Sequence, residues 1–236
     1  MIADGPDDGT LRPAGRLTPP PPSPELLAQV GGMKPVRPRS RFGGFLVALA
    51  ACLVLPAITL VRSPWRPDLG ALPPLWVGAG AALWGLAFVL TLASALIPRR
   101  GDVLPGAARA ARVGGVSALA LLLFALFATV SVPGVSQDLA DVHLSLLQSC
   151  LDCGRFIFFA SAILVLVGLV LLRRMLPVGG RRIGLALGVA GGAAGGLALF
   201  FVCPIAVTAH VVLGHIGGMA AGALLGGALF AGFVDR

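Results

Sequence analysis

No Asp, Glu, Lys or Arg falls in the middle of any long apolar run of this 236-residue chain. Transporters and proton pumps mark their paths with such residues, because a charge in hydrocarbon is costly unless it works. A transporter or channel therefore loses weight. The chain also lacks a nucleophile elbow, a Walker loop, a His-Glu-x-x-His motif and paired aspartates within an apolar run. Each of those patterns assembles the groups a particular chemistry needs, and without them nothing supports an enzyme. Charged residues make up only 12% of the chain, against 57% hydrophobic. With a mean hydropathy of +0.93, that excludes a soluble domain of ordinary composition.

What is present is a series of apolar runs: Phe45 to Val61, Leu75 to Ile97, Val116 to Val132, Phe156 to Leu172, Ile183 to Val202 and Ile205 to Val234. Each is close to the roughly 20 residues a helix needs to cross about 30 Å of hydrocarbon. Continuous apolar runs, unlike the alternation of barrel strands, predict helices. The expected fold is all-α and polytopic, with six transmembrane helices. The last two should fold back on each other through a short turn at Cys203-Pro204. Gly184, Gly188, Gly192 and Gly196 recur every fourth residue on one, and Gly214, Gly218, Gly222 and Gly226 on the other. Such smooth stripes allow the close backbone approach that drives helix association in lipid. They are read as packing surfaces.

The net charge of +8 would fit a nucleic-acid binder, but its placement points to topology. Lys34, Arg37, Arg39 and Arg41 precede the first run. Arg99, Arg100, Arg109 and Arg112 follow the second, and Arg173, Arg174, Arg181 and Arg182 follow the fourth. The intervening loops are poorer in basic residues, so the positive-inside rule puts both termini in the cytoplasm. Residues 1 to 41 hold the Pro19-Pro20-Pro21-Pro22 run and no apolar periodicity, and they read as a disordered tail ahead of a membrane domain at 42 to 236. Within the tail, Ser23-Pro24-Glu25-Leu26-Leu27 has the cap, proline and acid of a helix start. Alone, so short a helix is marginal.

Leu49-Ala50-Ala51-Cys52 matches a lipoprotein cleavage pattern, yet the apolar run continues past it to Val61. Cys52 is read as a packed thiol in a retained span. Trp65 and Trp76 suit the membrane interface. Arg66 and Asp68 can pair across Pro67, at the roughly 0 to 1 kcal/mol of a surface pair. The third loop carries Asp138, Asp141 and His143 and runs on to Cys150-Leu151-Asp152-Cys153. On the topology above it shares an oxidising face with Cys203. Three readings stay open there: a disulfide, packed unpaired thiols, or zinc on Cys150, Cys153, Cys203 and His210. His210 and His215 are five residues apart, about 140° around an α-helix, which argues against one ligand site within that helix. A haem or redox protein using His143, His210 and His215 is the competing function.

Several segments resemble the NrsF family of bacterial membrane anti-sigma factors. They are Arg66-Pro67-Asp68-Leu69, Arg173-Arg174 with Pro177 ahead of the glycine ladder, and Cys203-Pro204 followed by His210 and the Gly-rich last run. Lys34-Pro35-Val36-Arg37-Pro38 resembles the proline-valine stretch before that family's first span. The family's thiol pattern resembles Cys203 with either Cys150 or Cys153. Where the family often has a tryptophan, this chain has Gly214. Within the family, the long proline-rich tail resembles regulators of carotenoid synthesis. The resemblance implies six spans and a cytoplasmic tail that holds an extracytoplasmic-function sigma factor at the inner membrane until a signal such as light or an oxidant. It implies sigma contact by Glu25, Leu26, Leu27, Val30, Pro35, Val36 and Arg37, and sensing by Cys150, Cys153 and Cys203. Membrane lipid is the other partner. No cofactor, enzyme activity or direct nucleic-acid contact is implied.

Overall fold

A computed structural model describes residues 23–25, 41–97, 106–128, 146–172, 179–205 and 207–234. The chain divides into two compact units, Met1–Pro38 and Arg39–Arg236. In the first, Pro24 and Glu25 are helical and exposed. The expected sigma contacts from Leu26 to Arg37 lie outside the described residues, as do His143, Arg173, Arg174 and Pro177.

The second unit is helical throughout, with no strand among the described residues. Its helices are α1 (Arg41–Arg62), α2 (Pro74–Leu96), α3 (Ala107–Ala128), α4 (Leu146–Leu172) and α5 (Gly180–Val202). A last span follows, made of a short α6 (Thr208–His210), a π-helical turn (Val211–Ile216) and α7 (Gly217–Val234). Among the described residues, six helices are long and apolar enough to cross a membrane.

Two helices begin nine or more residues before their apolar runs. The third starts at Ala107, nine residues before Val116, because Ala107, Ala108, Ala110 and Ala111 with Arg109 and Arg112 form helix as readily as they avoid hydrocarbon. Its Arg109 guanidinium donates to the carbonyls of Ser94 and Ile97 and so caps the end of α2. The fourth starts at Leu146, ten residues before Phe156. It takes Cys150, Asp152, Cys153 and Arg155 out of the expected loop and onto a helix. Asp152 and Arg155 tolerate this by lying exposed, 3.6 Å apart one turn along.

α5 is the hub. Buried residues fill 72% of its apolar window, against 17% for the first span, and it packs on α1, α2, α3, α4 and α7. Its glycines are what permit this. A Cβ on Gly184 would strike the Gly226 carbonyl, and one on Gly226 would strike Gly184. Gly188 meets Gly222 and Ala223, and Gly192 meets Met219. The two ladders then part company. Gly196 receives the indole of Trp84 from α2, while Gly214 and Gly218 face Cys150 and Gly154 of α4, and Gly222 faces Ser161. Inside the bundle the hydroxyls of Thr91 and Ser117 pair at 3.0 Å across α2 and α3.

The loop after α1 is folded onto the end of α5. Pro67–Gly70 forms a 3-10 turn, and the Arg66 amide donates to the Phe201 carbonyl at 2.9 Å. The Arg66 guanidinium grips both Asp68 carboxylate oxygens at 2.6 Å. This is no surface pair, since only 5% of the Arg66 side chain is exposed. Asp68→Asn should therefore cost about 3 kcal/mol, far more than an exposed pair, by leaving a buried guanidinium unmatched. A thermal unfolding series in detergent will show the loss, and an unchanged midpoint would refute it. Trp76, near the start of α2, stacks on Phe200 at 5.1 Å between ring centres.

Candidate thiol and histidine site

Four segments meet at the end of the bundle where α5 finishes. Cys150 and Cys153 lie three apart on α4, so both thiols project from one face. Cys203 closes α5, its amide donating to the Leu199 carbonyl at 2.8 Å. Its backbone then extends (φ −80°, ψ 116°) as Pro204 demands of its predecessor. After Val207, also extended, the helix restarts at Thr208 and delivers His210 and then His215.

The π-helical turn corrects the expectation that the two histidines diverge. Hydrogen bonding from residue i to i+5 widens the turn by one residue, so positions five apart return to nearly the same face. The rings of His210 and His215 meet edge to face with centroids 5.3 Å apart. They do not flank a haem plane. The turn is seated against α4 by Gly154, Gly214 and Gly218, where a side chain on any of the three would press on the facing backbone.

The contacts form a short chain of sulfur and nitrogen. Cys153 Sγ lies 3.9 Å from Cys203 Sγ, and Cys203 Sγ lies 3.3 Å from His210 Nε2. The other ring nitrogen of His210, Nδ1, faces Cys150 Sγ at 3.7 Å. One ligand atom from each of Cys153, Cys203, His210 and His215 falls within 4.8 Å of all the others. Cys150, Cys203, His210 and His215 are buried and Cys153 is partly exposed. His215 Nε2 is buried with no hydrogen-bond partner. All four cysteines are unbridged, and Cys52 is packed in the core of α1, apart from this group.

Cys203 stands at the turn, and its thiol is held far below the ordinary range. The cause is first the Cys153 thiol beside it, then His210 and His215, acting against the burial that would raise it. A cysteine acts as nucleophile or metal ligand in its thiolate form.

Of the sequence-predicted sensors, Cys150, Cys153 and Cys203 are thus brought together with His210. Of the predicted sigma contacts, Glu25 is exposed on its own short segment. The sequence reading named His215 only for the competing haem or redox function and left it out of the thiol group. A π-helical turn is one extra residue in a helix, and a single chain carries no mark that distinguishes it from ordinary helix.

No curated protein and no solved structure matches this chain. The family model NrsF, negative regulator of sigma F, matches residues 29–234, a range that takes in all six long helices and both ends of the site. The chain belongs to the NrsF family of negative regulators of a sigma factor.

Proposed function

We propose that this protein is a membrane anti-sigma factor. It sequesters an extracytoplasmic-function sigma factor at the bacterial inner membrane and releases it when a signal reaches the thiol and histidine end. The observation that carries this reading is the family match itself, which begins inside the tail at residue 29 and runs through all the long helices. The segment Ser23 to Val36 makes the sigma contact, using Glu25, Leu26, Leu27, Val30, Pro35 and Val36, with Arg37 just beyond it. A tail with no core of its own is suited to fold on a partner.

The basic bias puts both termini in the cytoplasm. Arg181 and Arg182, exposed at the start of α5, then lie on the sigma side, and Cys203 at its far end lies on the periplasmic side. There Cys150, Cys153 and Cys203 receive the signal, an oxidant or a light-generated species, with carotenoid synthesis among the outputs. Lipid surrounds the helices, and DNA is touched only by the sigma factor. In the test, the full-length protein is extracted from membranes and probed for the extracytoplasmic-function sigma factor encoded beside it. Co-purification at a defined stoichiometry is expected. If the sigma factor stays wholly with core polymerase when both proteins are overproduced, the reading fails.

A further inference from the structure

We infer that Cys153, Cys203, His210 and His215 form a binding site for one divalent, thiolate- and imidazole-preferring cation of the zinc(II) class. The inference stands apart from sigma binding and needs only the geometry of the helix ends.

The distances suit a tetrahedral ion. With zinc bonded to sulfur at about 2.3 Å and to nitrogen at about 2.0–2.1 Å, two sulfurs sit about 3.8 Å apart and a sulfur and nitrogen about 3.6 Å apart. The observed separations are 3.9 Å between Cys153 and Cys203 and 3.3 Å between Cys203 and His210 Nε2. The widest pair within the 4.8 Å group has to close by only about 1 Å to reach those values.

Second, His215 brings a buried ring whose Nε2 has no partner, with only 5% of the residue exposed. A buried ring nitrogen without a hydrogen bond costs free energy, and a metal-filled group relieves the cluster as a whole. Third, the outer sphere is in place. With His210 ligating through Nε2, its Nδ1–H points at Cys150 Sγ, 3.7 Å away. Ligating histidines are usually oriented through their second nitrogen in this way. This gives Cys150 a role distinct from that of Cys153, although the two lie on one face.

Charge also selects the ion. Loading one dication displaces the thiol protons of Cys153 and Cys203, and the two thiolates balance the metal while both imidazoles stay neutral. The filled site carries no net charge, as burial beside hydrocarbon requires. The ligand group holds no carboxylate, so calcium and magnesium lack the oxygen donors they prefer. An open groove of about 430 Å³ lies between α4 and the last span, with the outer-sphere Cys150 in its wall. Four protein ligands leave no open position, so the site is a clasp rather than a catalytic centre. It would tie α4, the end of α5 and the π-helical turn together.

The test uses the full-length protein in detergent, isolated with its thiols protected, stripped with a chelator and reloaded with zinc(II) or cobalt(II) alone. One zinc per chain should survive desalting, and cobalt(II) should give the intense visible bands of a tetrahedral site with thiolate charge transfer. Cys203→Ser and His215→Gln should each lower retained zinc more than tenfold. Cys150→Ala should weaken affinity about 10–100-fold while keeping the tetrahedral cobalt spectrum, and Cys52→Ser should change nothing. Monodisperse protein that retains no zinc, or gives only the pale spectrum of octahedral cobalt, would overturn the inference. So would full zinc retention by Cys203→Ser, or a Cys153 to Cys203 disulfide in the protein as isolated. Should a ligand variant not fold, the cobalt spectrum of the unmodified protein decides. Neither zinc nor cobalt uptake depends on a sigma factor, so this reading and the anti-sigma reading fail separately.

Discussion

Gly184→Val and Gly226→Val are each expected to abolish the folded, monodisperse bundle. These two positions face each other across α5 and α7 so closely that any Cβ at one falls on the backbone carbonyl of the other. A carbonyl in a helix cannot step aside as the tip of a flexible side chain can. The helices must separate instead, and every contact along the seam from Gly184–Gly226 through Gly188–Gly222 loosens with them. Overpacking a rigid site costs about 3 kcal/mol or more, and here it strikes the helix on which the other spans converge. Gly85→Ala is the control. Gly85 lies in α2 with nothing near its absent Cβ, so alanine should be neutral or add up to about 1 kcal/mol by restricting the unfolded chain. Size-exclusion profiles and thermal unfolding in detergent will separate these outcomes. Valine variants that behave like the unmodified protein would show that the seam is not where the bundle is held.

Deleting residues 1–36 should leave the six helices inserted and abolish repression, raising the sigma-dependent promoter to its level in a strain without the protein. The prediction follows from the division of the chain. Arg39–Arg236 is a compact unit with its own core, and in the proposed function the tail makes all of the specific sigma contact. Immunoblots of membrane fractions will check that the truncated protein persists, and a promoter fusion will report repression. Repression that survives deletion, with the protein present, would move the sigma contact to the basic ends of the helices.

Length and apolarity alone made the number of spans legible, because crossing hydrocarbon imposes a demand that few sequences meet by accident. The starts of α3 and α4 were less so. Alanine and arginine at Ala107 to Arg112, and the mixed segment Leu146 to Arg155, are helical for reasons other than hydropathy. That misplacement matters most for Cys150 and Cys153, which a loop would leave mobile and a helix fixes on one face. The thiols and His210 stood out in the sequence as the reactive residues of one face. Their partner His215 did not, because ordinary helix geometry points it away and only the wider turn brings it back. The bidentate burial of Arg66 on Asp68 was equally hidden, since nothing in Arg-Pro-Asp-Leu reveals that this loop settles on Phe201.

The order in which the helices leave the ribosome gives the central place of α5 a further meaning. The helix that every other long span touches is the fifth to be made. Trp84, Ile157 and Leu164, buried in the finished bundle, emerge before the surface that receives them. At about 5–20 residues per second, the interval from the end of α2 at Leu96 to the end of α5 at Val202 is roughly 5–20 s. During that time the early helices lack their common neighbour, so slower translation through Gly180–Val202 is expected to lengthen the interval in which their apolar faces are unpartnered.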